Sequence, residues 1–258
     1  MRIGTYNVLG LTGYPPKESG RTLGNPLSEA TATHFKGVFQ DLGCDILALQ
    51  EGVTPDQIRR IANDMNCYAV TIPSPIAWPG HVISRYPVME SRAFSHVTPN
   101  AEDCPFSRTA GAALLQVGDD RMIWIVDVHL HPGRVELRNE EADILAGRAA
   151  ELLETGHPVV VLGDFNCEIG ERLHQVLANA GFSNAMSAVG GGVQLTIDTA
   201  GIEGRWKIDH IYVSSSLGDR LKHAEVVRRE GYRQDNPLLP GKWVHSDHLP
   251  VIADLEYP

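Results

Sequence analysis

The chain has 258 residues, with 22 Lys and Arg against 32 Asp and Glu for a formal net charge of −10 at pH 7, and 43% of its residues are hydrophobic. That composition can bury a sizeable core and excludes a disordered chain, while the acidic balance excludes a protein that coats nucleic acid through many phosphate-neutralising cations. A local cation in a cleft still leaves a phosphate substrate open, because charge acts weakly beyond a Debye length of about 8 Å.

No window approaches the roughly 18 uninterrupted apolar residues of a membrane span, and Met1-Arg2-Ile3-Gly4 does not open like an export signal. A cytoplasmic protein without integral membrane association is expected, and a monomer is favoured. Cys44, Cys67, Cys104 and Cys167 form no Cys-x-x-Cys pair, which fits reduced thiols. The length fits one domain over residues 1–258.

Arg2 to Leu9 reads as a strand. Phe35, Val38, Phe39 and Leu42 make one apolar stripe on a helix that closes near Gly43. Asp45 to Gln50 is a buried strand. Thr54 then caps a helix with Pro55 in its first position, carrying Ile58, Ile61, Ala62 and Met65. Strands follow at Tyr68 to Ile72, His81 to Ser84, Thr109 to Val117 and Met122 to Val128. Arg134 to Glu154 reads as a helix, Pro158 to Leu162 as a strongly apolar strand, and Glu171 to Ala180 as a short helix. Strands at Ile208 to Val213 and Val251 to Leu255 complete the order. Leu11 to Pro26, Pro73 to Gly80 and Gly190 to Gly192 read as loops. Strands outnumber helices and often come in adjacent pairs, the pattern of a layered α/β domain with mixed sheets.

Polar residues fall at the ends of these strands: Asn7, Glu51, His129, Asp164 with Asn166, Asp209, and Asp247 with His248. Loops held by a rigid sheet can aim such groups into one crevice. Singly, each has an ordinary structural use: Asn7 in a turn, Asp164 in an Asx turn, Asp209 at the surface, His248 bonded to a core carbonyl. Together they point to one convergent site.

The ordered set T-Y-N-V (Thr5 to Val8), L-Q-E (Leu49 to Glu51), S-R-Y-P (Ser84 to Pro87), V-H-L (Val128 to Leu130), G-D-F-N (Gly163 to Asn166), I-D-H-I (Ile208 to Ile211) and S-D-H-L-P-V (Ser246 to Val251) resembles the endonuclease/exonuclease/phosphatase superfamily of metal-dependent phosphoesterases. The resemblance spans nearly the whole chain. It implies a four-layer α/β sandwich of the DNase I type, two stacked mixed β-sheets flanked by helices, with the site at one end of the sheets.

The resemblance further implies a divalent-metal-dependent hydrolase of phosphate esters, a phosphodiesterase or nuclease, working by in-line attack of water. A phosphomonoesterase or a sphingomyelinase-like lipid phosphodiesterase of the same fold is the alternative. Cleavage needs charge neutralised on the phosphate oxygens, a positioned water and a stabilised leaving oxygen. Mg²⁺ or Mn²⁺ suits oxygen ligands, and Mg²⁺ is commonly held by one or two carboxylates. Glu51 matches the family's metal-binding glutamate, with Asn7 and Asp247 as further metal-side residues. His248 is assigned as general base or phosphate contact, paired with Asp209. Asp164 would orient or activate the water, Asn166 would donate to the phosphate and His129 would contact a phosphate oxygen, while Arg108 reads equally as an extra phosphate clamp or as a surface arginine.

His131 two residues after His129 makes a His-x-His spacing that also serves zinc hydrolases, a less favoured alternative, and His210 is expected on the opposite face in a structural role. For the substrate, a phosphate ester with nucleic acid among the candidates, the sequence is less informative. Residues 201–248 mix Lys and Arg with nearly as many Asp and Glu, a solvated surface rather than a basic DNA-binding loop. Trp78, Trp206 and Trp243 read as loop or strand-edge residues suited to stacking or to packing at the rim.

Overall fold

A computed structural model describes residues 1–95, 104–202, 204–234 and 239–257. Twelve strands form two six-stranded sheets. The first is ordered β11 (Leu221–Val226), β12 (Val251–Leu255), β1 (Arg2–Asn7), β2 (Ile46–Gln50), β4 (Gly80–Ser84), β3 (Tyr68–Ile72). The second is ordered β5 (Val88–Ala93), β6 (Ala110–Gly118), β7 (Arg121–His129), β8 (Val159–Asp164), β10 (Asp209–Ser214), β9 (Phe182–Asn184). Both are mixed: β1 runs parallel to β2 and antiparallel to β12, and β7 runs parallel to β8, which is antiparallel to β10.

The helices cover the outer faces. α2 (Glu29–Leu42) buries Phe35, Val38, Phe39 and Leu42, and α3 (Pro55–Asp64) buries Ile58, Ile61 and Ala62, in the core that also holds the first sheet. Ser28 accepts from the Thr31 N–H to start α2, and Gly43 at φ 65° ends it, a left-handed step that glycine takes without a Cβ penalty. Thr54 caps α3 through the Gln57 N–H, with Pro55 in the first turn, as its sequence predicts. α4 (Val135–Leu153) and α5 (Arg172–Asn179) pack on the outer face of the second sheet. Helices, sheet, sheet and helices make the four-layer sandwich. Among the described residues no helix is long and apolar enough to cross a membrane, and no disulfide joins the four cysteines.

Side-chain alternation sorts the second sheet. Ile123, Ile125, Val160, Leu162, Ile211 and Val213 turn toward the first sheet, whereas Trp124, Val126, Val128, Val159, Val161 and Tyr212 turn toward α4 and α5. The same parity sends Asp127, His129, Asp164 and Asp209 into the space between the sheets and His210 outward.

The sequence reading needs correction at several elements. The predicted Leu11–Pro26 loop contains a helix, α1 (Pro16–Leu23), which opens on Pro16 and buries Ser19 and Leu23. β5, β9 and β11 were not anticipated, nor was α6 (Ala185–Val189). β5, β9 and β11 all lie at sheet edges, where exposed faces dilute the apolar signal. The first strand stops at Asn7 instead of reaching Leu9, because Leu9 and Leu11 take left-handed backbone (φ 46° and 58°).

Candidate active site

Register alone brings the polar strand ends together. On β1 and β2, Asn7 lies opposite Gln50, with Glu51 one residue beyond. On β7 and β8, His129 lies opposite Asp164, and on β8 and β10 Asp164 lies opposite Asp209. Thr5 of β1 pairs with Val251 of β12, so the segment before β12 passes the Asn7 end of the sheet, where the Ser246 hydroxyl donates to the Asn7 carbonyl at 2.7 Å. Gly163 lets β8 run this close to β7: its φ is 144°, and a Cβ there would collide with the Val128 carbonyl.

The two sheets meet in a hydrogen bond from Asn7 Nδ2 to Asp164 Oδ2, 2.9 Å. Asp164 Oδ1 accepts from the Asn166 N–H at 3.0 Å, so the Asx turn expected of a lone Asp is present alongside the convergent site. His129 Nε2 stands 3.5 Å from Asp164 Oδ2 and 3.9 Å from Glu51 Oε1. His248 Nε2 stands 3.7 Å from Asp164 Oδ2, and its Nδ1 is 2.9 Å from Asp209 Oδ2.

Burial and mutual charge set the protonation. Removal from water pushes Glu51 up to about 7, aided by the negative charges of Asp164 and Asp247 and opposed by His248. Burial also raises Asp164, with Asp209 adding to the effect. His129 is pushed down to about 4 by burial against the pull of Asp164, so it is neutral at pH 7. For His248 burial is overcome by Asp209 and Asp164, which raise it well above the ordinary imidazole value. One cationic and one neutral imidazole therefore face the same carboxylate.

Glu51 and Asn166 both hold left-handed backbone, φ 50° and 51°, which costs non-glycine residues energy and clusters at functional positions. The Glu51 carbonyl accepts the Gly10 N–H at 2.7 Å. Its side-chain Oε2 is buried with no hydrogen-bond partner among the described residues. A buried, unpaired carboxylate oxygen beside further oxygen donors is what a hard divalent cation would satisfy. Asp164, Asp209 and His248 also present ligand atoms within 4.8 Å of one another. The residues present fit a divalent metal.

The other predicted residues divide. Asp247 is half-buried, accepts from Ser246 Oγ at 3.2 Å, and acts electrostatically on both Glu51 and His248. Arg108 is half-buried just before β6, and its charge lowers the basicity of His129. The Asn166 amide donates to the Leu130 carbonyl at 3.0 Å, which fastens the end of β7 to the turn after β8. His131 does not join His129: its Nδ1 accepts the Gly133 and Arg134 N–H groups at the entrance to α4, and it is absent from the metal-donor group, against the zinc alternative. His210 is structural as expected, packed on Phe165, His174 and Tyr212.

Sequence reasoning missed the groups beneath the site. Thr5 Oγ1 donates to Gln50 Oε1, and Gln50 Nε2 donates to Asp127 Oδ1 at 2.7 Å, a chain that crosses from the first sheet to the second. Glu141 of α4 accepts from the N–H and hydroxyl of Ser107 and from the His131 N–H, anchoring the segments that flank Arg108 and His129. A carboxylate inside I-W-I-V-D-V-H was the available signal for Asp127. Glu141 gave none, because helical spacing alone does not show which acidic residue turns inward.

Stacked six-stranded sheets with a carboxylate and imidazole centre at one end define a DNase I-like α/β sandwich. The chain belongs to the Endonuclease/Exonuclease/phosphatase family, whose model matches residues 4–227. Among solved structures, it is similar to a functionally unknown conserved protein from Enterococcus faecalis (TM-score 0.74, 16% identity, 100% of both chains). It is also similar to a 3′ phosphatase from Neisseria bound to a product DNA hairpin (0.71, 20%, 100% of both chains). A mannosyl-6-phosphatase from Bacteroides thetaiotaomicron is a third likeness (0.72, 15%, 100% of both chains). No curated protein matches the sequence significantly.

Proposed function

We propose that this protein is a divalent-metal-dependent hydrolase of phosphate esters, most simply a phosphodiesterase, acting by in-line attack of water. The observation that carries the reading is the convergence of Glu51, with its unpaired buried oxygen, on the Asp164, Asp209 and His248 cluster. Family membership supports it, as do phosphatases among the structural likenesses.

Held by Glu51 with Asn7 and Asp247 close by, Mg²⁺ or Mn²⁺ would supply charge neutralisation for the phosphate oxygens and the departing ester oxygen. The chain's own residues do the rest. Asp164, made more basic than a surface carboxylate by burial, orients a water and takes its proton as the new oxygen–phosphorus bond forms and the ester bond breaks. Asn7 keeps Asp164 from rotating, through the 2.9 Å bond. His248, held cationic by Asp209, donates to a nonbridging oxygen, where its charge grows more favourable as the phosphate charge spreads in the transition state. His129 stays neutral and offers a second imidazole contact.

The test is hydrolysis of a chromogenic phosphodiester. Activity is expected to vanish with a chelator and to return with Mg²⁺ or Mn²⁺, and His248→Ala should abolish turnover while metal still binds. Turnover that survives both chelation and His248→Ala would defeat the proposal.

A further inference from the structure

Beside Glu51 lies a cavity of about 470 Å³ whose walls include Leu9, Leu27, Val53, Ala77, Trp78 and Pro79, with no charged residue among its described lining. Its lining is tied to the site residues: Gly52 follows Glu51, the Gly10 N–H donates to the Glu51 carbonyl, and the Leu9 N–H donates to Asn7 Oδ1. The cavity is pre-formed. The Gly52 N–H is tied to the Pro79 carbonyl at 2.8 Å, and the Val53 carbonyl lies 3.0 Å from buried His81 Nε2. Leu27 and Trp78 nevertheless expose 53% and 42% of their surface, apolar area left uncovered at the mouth of a polar centre.

The chemistry of the walls narrows the occupant. With no Lys or Arg, a second phosphate finds no partner here. The described wall offers only two side-chain hydroxyls, and each already makes a hydrogen bond: Thr54 Oγ1 accepts the Gln57 N–H, and Thr12 Oγ1 donates to the Leu9 carbonyl at 2.8 Å. A sugar or polyol with several hydroxyls would find few side-chain partners here, at a cost. Proline rings, glycine backbone and one indole give rigid, flat-faced walls beside Leu9 and Leu27, with no methionine among the described lining. An apolar cavity of about 150 Å³ already admits benzene, so the volume suffices for a bicyclic ring.

We infer that this cavity is the subsite for a planar aromatic group carried by the scissile phosphate, so that aryl or nucleoside phosphate esters are preferred over sugar, inositol or polyphosphate esters. The inference rests on the phosphoesterase reading and adds the substrate class. Its test is calorimetric binding of non-hydrolysable phosphonates to the full chain with Mg²⁺ present. Benzylphosphonate and a thymidine phosphonate, which separate a simple aryl group from a base, are compared with methylphosphonate. Burying about 60 Å² of ring should make at least one of them bind about tenfold tighter than the methyl compound. Leu27→Asp and Trp78→Ala, both at exposed positions, should each bring that ratio close to one.

Equal binding of all three probes, tighter binding of a glycerol phosphonate, or an equal gain for a hexyl chain would overturn the inference. Methylphosphonate binding with no aromatic advantage strikes the subsite alone. Absence of methylphosphonate binding together with absence of phosphate-ester hydrolysis strikes the phosphoesterase reading itself.

Discussion

Replacing Asp209 by Asn keeps the size of the side chain and an oxygen able to accept from His248, while removing one negative charge. Asp209 and His248 are buried, with Oδ2 and Nδ1 2.9 Å apart. At an effective dielectric constant of about 20 the gross attraction at that separation is roughly 6 kcal/mol. Desolvation of both partners takes back much of this, leaving the ~1.5–3 kcal/mol of a charge-assisted hydrogen bond. Without that charge the His248 pKa should drop. If the cationic imidazole stabilises the transition state, kcat should fall about 10- to 150-fold. The shift is read from imidazole nitrogen resonances in NMR titrations of parent and D209N protein, which need no substrate, and the rate from a chromogenic phosphodiester. An unmoved His248 titration with kcat within threefold of the parent would refute the role of the pair.

The metal side and the buried histidines yield two more expectations. Glu51 titrates at about 7 instead of its usual 4.5, so between those values the unfolded chain releases a proton that the folded metal-free protein retains. Its contribution to stability is lost as pH rises through that window. Glu51→Gln should accordingly stabilise metal-free protein at pH 8 by up to about 3 kcal/mol while weakening Mg²⁺ binding, checked by urea unfolding in chelator and by calorimetry; a metal-free variant no more stable than the parent would contradict this. His81 and His210 are buried and pushed down to about 4 and about 3. Below pH 6.5 the unfolded chain takes up protons that the folded chain refuses, so stability falls toward acid. In the Glu51→Gln background, these two rings should account for a drop of roughly 4 kcal/mol in unfolding free energy from pH 7 to pH 5, read as the difference from a variant that also carries His81→Gln and His210→Gln, and no difference would show these rings to be solvated.

Much of the site was legible because strand ends carry chemistry that strand interiors avoid. Asn7, Glu51, His129, Asp164, Asp209 and His248 each follow or precede an apolar run, and register converts that linear pattern into proximity. The interior strands and the helices with strong stripes were readable for the same reason: burial on one or both faces leaves a periodic trace. α1 was not, since Pro15, Pro16 and Gly20 are the residues of a loop and only Ser19 and Leu23 face inward. β5, with the burial of Val88–Ala93 mostly exposed, lacks an apolar face to detect. The Gln50–Asp127 bridge was invisible because pairing across sheets depends on stacking, which no local pattern encodes.

The position of β12 between β11 and β1 has a consequence for the order in which a ribosome delivers the parts. Asn7 and Glu51 emerge early, yet the slot beside β1 stays open, with its amides and carbonyls bare, until residues 251–255 have been made. His248 arrives on that same late segment, so a nascent chain that stops before it holds the acidic half of the centre without its cation. Chains cut off before β12 should thus be silent and sticky at one sheet edge, a physical feature by which quality control can recognise them.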